Sequence, residues 1–315
     1  MAIVSPDKMN FSDKNIIMIL AGLPGTWKTS TACSAGDDVL IIDTDEGMAR
    51  VNPEFRKDTS ICKTYEEVLA DLKAAEGKYK TVVIDTCGAL IEYMKDWAMR
   101  TDPKASKKDG GFSLQGYGIV KSEFVRLSAE LRKKFNVIYV FHEQTTRGND
   151  GDIFYDLVAD GSCKVICWQP ADLGGHLFIQ NGKHYIGFTP TEQYSAKSAY
   201  GIKGLIEIPE VKDGEKNEFL AKLFAKIREN LQKEAGELDP KMQEYKETME
   251  AITRVCNDVQ KPEDCSMALE MIKSMPNVLT SAKEGRAMFS KRMTELGIVY
   301  NKKTNEFSYA SKPEA

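Results

Sequence analysis

The sequence predicts an α/β fold with a central, mostly parallel sheet, followed by a C-terminal helical region. Three observations carry this. Short β-type runs alternate with helical stretches over the first two thirds of the chain. A glycine-containing loop, "GLPGTWKTS", joins the first strand to the first helix. Acidic residues stand at the ends of two further apolar strands, "VLIID" and "TVVID".

The expected strands are "NIIMIL", "DVLIID", "TVVIDT", "NVIYVFH", "HLFIQ", "HYIGFT" and "GLIEIP". Between the first four lie the helical patterns "KTSTACSA", "TYEEVLADLKAAE", "ALIEYMKDWAMR" and "GIVKSEFVRLSAELRKKF". The last repeats apolar residues at helical spacing through Ile119, Phe124, Leu127 and Leu131. Near residue 210 the texture changes, because "IPEVKDGEKNEF" is polar and rich in turn residues. Residues 1–210 are therefore expected to form the sheet domain and 211–315 a mostly helical one. In the second, "FLAKLFAKIRENLQ" sets Phe219, Leu220, Leu223, Phe224, Ile227 and Leu231 on one face. Helices are also expected around 240–257, 262–274 and 281–296, and a small hairpin around Asn301–Asn305.

Composition narrows the function classes. The chain has 315 residues, 42% hydrophobic and 29% charged, with a formal net charge of -4. Nucleic-acid contact must then come from local loops, not from a global positive field. No apolar run reaches the ~20 residues of a spanning helix and no secretory leader pattern is present, so a cytoplasmic protein without membrane contact is expected. The seven cysteines do not form a disulfide pattern. Cys163 and Cys167, with His176 and His184 downstream, lack a second close pair and sit in the apolar "CKVICW", which favours buried thiols over zinc ligands.

The loop is close to G-x-x-x-x-G-K-[ST], whose backbone N–H groups converge on phosphates beside a helix start. Gly22, Leu23, Pro24, Gly25, Thr26, Trp27, Lys28, Thr29 and Ser30 occupy it. Lys28 is expected to neutralise the β- and γ-phosphates of ATP, and Thr29 to hold Mg²⁺ together with Asp85 at the end of "TVVID". Asp43, Asp45 and Glu46 crowd another strand end, where one of them can deprotonate the attacking water; the alternative is a solvated acidic turn. Trp27 stands where the second glycine belongs. It reads as a tolerated variant, as a mark of nucleotide binding with weakened hydrolysis, or as an indole that stacks on a base or partner.

With these elements in order, the first two thirds resembles the RecA-like P-loop ATPases, and among them the phage nucleotide-binding proteins related to Sak single-strand annealing recombinases. The resemblance implies a RecA-like core, the catalytic acid at Asp45 or its neighbour Glu46, and a γ-phosphate sensor at His142 in "NVIYVFHEQTTRGND". A structural histidine is the alternative there. The resemblance also implies DNA-binding loops at "RTDPKASKKDGGFSLQGYG", with Arg100, Lys104, Lys107, Lys108, Phe112 and Tyr117, and at the more acidic "TTRGNDGDIFYDLVADGS", with Arg147, Phe154 and Tyr155. Cations and aromatics together suit single strands. Lys197 and Lys203 match the region from which such assemblies reach a neighbour's γ-phosphate; two surface lysines are the alternative. Expected partners are single-stranded DNA, a single-strand-binding protein and further copies of this chain in a ring or filament. A nucleotide-gated adaptor or loader and a helicase motor remain rival readings. Arg286, Lys291, Arg292, Lys302 and Lys303 in the tail read as a solvated face.

Overall fold

The computed structural model describes residues 11, 14–148, 151–160, 162–212, 214–301, 304 and 306–310, without the side chains of 234–239 and 242. The strands are β1 (Ile17–Gly22), β2 (Val39–Asp43), β3 (Asp58–Ile61), β4 (Thr81–Asp85), β5 (Asn136–Arg147), β6 (Ile153–Leu157), β7 (Leu173–Gln180), β8 (Lys183–Gly187), β9 (Leu205–Ile208), β10 (Ile298–Asn301) and β11 (Glu306–Tyr309). The helices are α1 (Lys28–Ala32), α2 (Tyr65–Ala75), α3 (Cys87–Thr101), α4 (Leu114–Lys134), α5 (Cys163–Ile166), α6 (Phe219–Asp258), α7 (Pro262–Ser274) and α8 (Ser281–Glu295).

Strands β3, β2, β4, β5, β1 and β7 pair in that order and all in parallel, as the expected α/β class requires. β8 and β9 continue the sheet antiparallel beyond β7, and β6 pairs antiparallel with the far half of β5. The central strands are buried along their length, which explains their continuous apolar runs. Side-chain caps start the crossover helices: Thr64 accepts from Glu67 N, Thr86 from Ala89 N and Ser113 from Gly116 N. Tyr65, Met94, Phe124 and Tyr139 are among the side chains that fill the core between sheet and helices.

Some elements differ from expectation for identifiable reasons. β3 was missed because its "DTSI" is a half-exposed edge with little apolar signal. β6 falls in the segment expected to be a loop. There "IFYDL" pairs with β5 from Glu143↔Leu157 to Arg147↔Ile153, so backbone pairing organises a stretch that is mostly solvent-facing. The first helical pattern shortens to α1 and a 3-10 turn over Cys33–Ala35, as its serines and threonines compete for backbone groups. Ser34 Oγ donates to Thr31 O and accepts from Leu220 N. The two helices expected at 219–232 and 240–257 run as one, α6, with Pro240 inside it.

Contacts divide the chain into two compact units, one reaching Asn230 and the other beginning at Leu231. Residues 211–230 therefore belong with the sheet by contact, although the compositional shift comes at 210. The second unit has its own core, in which Ile252, Cys256, Val259, Cys265, Ile272, Phe289 and Ile298 are buried. β10 and β11 form the expected terminal hairpin; Lys302, Lys303 and Asn305 lie outside the described residues. No described helix is long and apolar enough to cross a membrane.

Candidate nucleotide site

The loop after β1 turns where a side chain has no room. A Cβ on Gly22 would lie 2.6 Å from both Leu177 O and Thr26 Oγ1. Gly25 takes φ +82°, and Trp27 takes φ +64°, ψ +28°, the left-handed conformation that the replaced glycine would supply freely. A residue with a Cβ meets a cost of roughly 1–2 kcal/mol there. The indole is stacked on His184 of β8, ring centroids 3.4 Å apart and planes within 10°. Such a contact contributes about 0.5–1.5 kcal/mol, enough to offset most of the strain. Burial lowers the His184 pKa, opposed by its hydrogen bond to the Gly25 backbone. The tryptophan therefore keeps the loop geometry instead of opening it.

Thr26 Oγ1 and Lys28 Nζ both donate to Leu23 O, at 2.8 and 2.9 Å. Burial lowers the Lys28 pKa, against the opposing pull of Asp85, Glu143 and Asp45. β5 lies between β1 and β4, with Gly22 level with His142 and Asp85 with Val140. This inserted strand sets the loop and Asp85 on either side of His142. Burial pushes the Asp85 carboxyl up to about 6, while the Thr29 hydroxyl, hydrogen-bonded to it, works the other way.

Asp43 is occupied by the turn after β2: its carboxylate accepts from Asp45 N, Gly47 N and Met48 N at 3.2, 2.9 and 2.9 Å. That turn brings Asp45 inward, with Oδ2 3.3 Å from His142 Nε2 and 3.8 Å from Arg50. The His142 contact holds the Asp45 pKa below its ordinary value. Glu46, at φ +58°, is exposed and does not line the cleft. Pro24, Gly25, Trp27, Lys28, Thr29, Ser30, Asp45, Asp85 and His142 all line one cleft of about 390 Å³, joined by Gly47, Arg50 and Val51.

Beneath the loop, His176 Nδ1 and Glu143 Oε2 are buried 2.8 Å apart but out of line for a hydrogen bond. Sequence reasoning missed this pair and the stack on His184, because β5, β7 and β8 bring their residues to the loop only through sheet pairing; it missed Arg50, which the turn after β2 carries to the cleft. Lys197 Nζ donates to Trp168 O and, more weakly, to Gln169 O; Lys203 is exposed. Neither lysine lines the cleft. Cys163 and Cys167 are buried thiols, the second pushed up to about 12 by burial.

A family model described as an AAA domain matches residues 14–200, which span β1 through β8 and every lining residue of the cleft. No curated protein matches the chain. With this match over more than half its length, the chain belongs to the AAA-domain family of P-loop, nucleotide-binding ATPases.

Proposed function

We propose that the protein binds Mg·ATP in this cleft and hydrolyses it while acting on single-stranded DNA, in the manner of the phage-type annealing recombinases it resembles. One observation carries the nucleotide part: Lys28, Thr29, Asp85, Asp45 and His142 line a single cleft, and three of these residues, Asp45, Asp85 and His142, each hold a buried side-chain atom without a hydrogen bond. A carboxylate oxygen left without a partner is costly unless a ligand completes it.

In this reading Lys28 leaves Leu23 O for the phosphates, and the backbone N–H groups of the loop receive the remaining oxygens. Asp85 and Thr29 fit Mg²⁺, as their oxygen donors and the orphaned Asp85 Oδ2 suit a hard cation. Held by Asp85 and Thr29, such an ion would supply positive charge to offset that of the phosphates. The Asp45–His142 pair takes a proton from the attacking water as its oxygen bonds to the γ-phosphorus and the bond to the bridging β-phosphate oxygen breaks, so that ADP and inorganic phosphate leave. Because β5 runs unbroken from His142 to Arg147, a change at the γ-phosphate has a direct route to the β5–β6 hairpin, where Phe154 is exposed. Lys104, Lys107 and Lys108 are also exposed, and with that hairpin they supply the cations and stacking surface that support the single-strand reading. Lys197 and Lys203 are proposed to act on a neighbouring copy.

A second reading, a nucleotide-gated adaptor with little turnover, is favoured by Trp27 alone, since its stack on His184 stiffens a loop that glycine would leave free. The deciding experiment is ATP hydrolysis with and without single-stranded oligonucleotide, for the native chain and for Lys28→Ala. The proposal expects oligonucleotide-stimulated hydrolysis that the variant loses. Binding without turnover supports the adaptor. Absence of nucleotide-dependent stabilisation in both the native chain and Trp27→Gly ends both readings.

A further inference from the structure

The 3-10 turn Gly47–Arg50, which follows Asp45 closely in the chain, presents a second cation to the phosphate cleft. Its backbone is clamped. Asp43 takes the N–H groups of Gly47 and Met48, each at 2.9 Å, and Val51 N donates to Met48 O at 3.2 Å. Met48 and Val51 are buried, and Arg56 donates to Ala49 O and Val51 O, carbonyls of the residues on either side of Arg50, at 3.1 and 3.0 Å. The Arg50 side chain is held loosely by contrast. It is 67% exposed, and its Nη2 stands 3.8 Å from Asp45 Oδ2, an ion pair beyond hydrogen-bond reach. Together with His142, it holds the Asp45 pKa down. With the stem fixed and the head free, the guanidinium can exchange one anion for another without rearranging the turn.

The space beside it is kept open by a glycine. A Cβ on Gly47 would lie 3.0 Å from Asp45 Oδ1, 3.6 Å from Asp85 Oδ2 and 3.6 Å from Arg50 Nη2. Two carboxylate oxygens and a guanidinium nitrogen therefore surround one small gap. Both oxygens are buried and without a hydrogen bond. Gly47 is not among the residues at positive φ, so backbone conformation gives no reason for glycine there, whereas the gap does. Charge points the same way. Lys28 and Arg50 line the cleft against Asp45, Asp85 and the triphosphate it is proposed to hold. Arginine's planar fork donates two parallel hydrogen bonds to a phosphoryl group, which an ammonium does not.

We infer that Arg50 is a catalytic residue of its own chain's site: its guanidinium leaves Asp45 for the γ-phosphoryl oxygens in the transition state, and the gap beside Gly47 seats the attacking water. The inference rests on the nucleotide reading above and deepens it. The water oxygen bonds to the γ-phosphorus as the bond to the bridging oxygen breaks, and that oxygen keeps the electron pair as ADP leaves. The water's proton goes to the Asp45–His142 pair, and departure of Arg50 makes Asp45 a better acceptor for it.

Steady-state hydrolysis and calorimetric titration with Mg·ATP, on the native chain, Arg50→Ala, Arg50→Lys and Gly47→Ala, test it. Arg50→Ala is expected to lower kcat about a hundredfold or more while Mg·ATP affinity changes less than about threefold, because the contact is made in the transition state. Arg50→Lys keeps the charge without the fork and should regain less than about tenfold of that loss. Gly47→Ala fills the seat of the water and should lower kcat about tenfold or more with affinity kept. Mixing Arg50→Ala with Lys28→Ala chains should give no more turnover than the two alone, since the arginine and the loop lysine must belong to one chain. Turnover restored in the mixture assigns the arginine to a neighbour's site and overturns the inference. So does a native-like kcat in Arg50→Ala, or a loss of affinity that accounts for the whole loss of rate; each leaves the nucleotide reading intact. A native chain that binds Mg·ATP without turnover overturns the inference in favour of the adaptor, and one that does not bind it overturns the nucleotide reading as well.

Discussion

At the N-terminal ends of the sheet strands, Asp172 accepts from Ile17 N and from Tyr200, each at 2.9 Å, and forms an ion pair with Lys14. Nearby, Asn136 Oδ1 accepts from Ile16 N at 2.9 Å and its amide donates to Thr81 Oγ1 at 3.2 Å. At the C-terminal ends of the same strands the buried polar groups are left incomplete. Thr31 Oγ1, Asp45 Oδ1, Asp85 Oδ2, His142 Nδ1, Glu143 Oε2, His176 Nδ1 and His184 Nε2 are the buried side-chain atoms without a hydrogen bond among the described residues; Glu143 and His176 stand 2.8 Å from each other, and Asp45, Asp85 and His142 line the cleft. The contrast separates polar groups that hold the sheet from those that, on the proposed reading, a ligand completes. The first set is satisfied by the fold, whereas the second costs stability that only binding can restore.

The comparison can be broken most directly at Lys28. Lys28→Ala should weaken Mg·ATP at least about a thousandfold, or about 4 kcal/mol, and abolish the rise in melting temperature that ATP gives the native chain. Calorimetry and a thermal melt check both; retained ATP stabilisation would remove the central residue of the incomplete end. At the complete end, Asn136→Ala should orphan the Ile16 N–H and cost about 2–3 kcal/mol in denaturant unfolding. Its ATP affinity per folded molecule should not change. A loss of affinity would mean that the two ends are not separable.

Asp85 gives the contrast a pH dependence. Its folded pKa, about 6, lies above the ordinary carboxyl value of 3.8, so the folded state holds the proton more tightly than the unfolded one. The associated stability is complete below about pH 4 and is lost as pH rises through 6. Asp85→Asn should therefore stabilise the free protein at pH 7 by on the order of 2 kcal/mol, with the gain disappearing near pH 4, while the Mg²⁺ dependence of ATP binding is lost. Chemical denaturation at the two pH values reads this out, and an equal gain at both would assign the effect to something other than ionisation. The smallest effect is expected at Trp27. Trp27→Gly removes both the left-handed strain and the stack on His184, terms of opposite sign and similar size, so stability should change by no more than about 1 kcal/mol. Turnover at saturating ATP should equal or exceed the native rate. A large loss of stability would show that the stack holds the loop by itself.

Much of the site was legible because its signals are local. Lys28 and Thr29 follow a glycine loop, and Asp85 ends an apolar run, so spacing along the chain is enough to find them. Which of Asp45 and Glu46 lines the cleft was not legible. Two adjacent acids look alike in sequence, and the Asp43 carboxylate, by gathering three N–H groups of the turn, aims Asp45 at His142 and leaves Glu46 in solvent. β6 was hidden for a related reason, since a strand held by pairing to the solvent-facing half of β5 needs little apolar signal of its own.

By itself the sequence determined the parallel sheet and the residue types at its strand ends, because periodicity and strand-end chemistry are written in consecutive residues. Only the tertiary structure decided what Trp27 does. A left-handed tryptophan is unfavourable in isolation and becomes tolerable when β8 delivers an imidazole to its face, and that partner comes from a part of the chain that no local pattern connects to the loop.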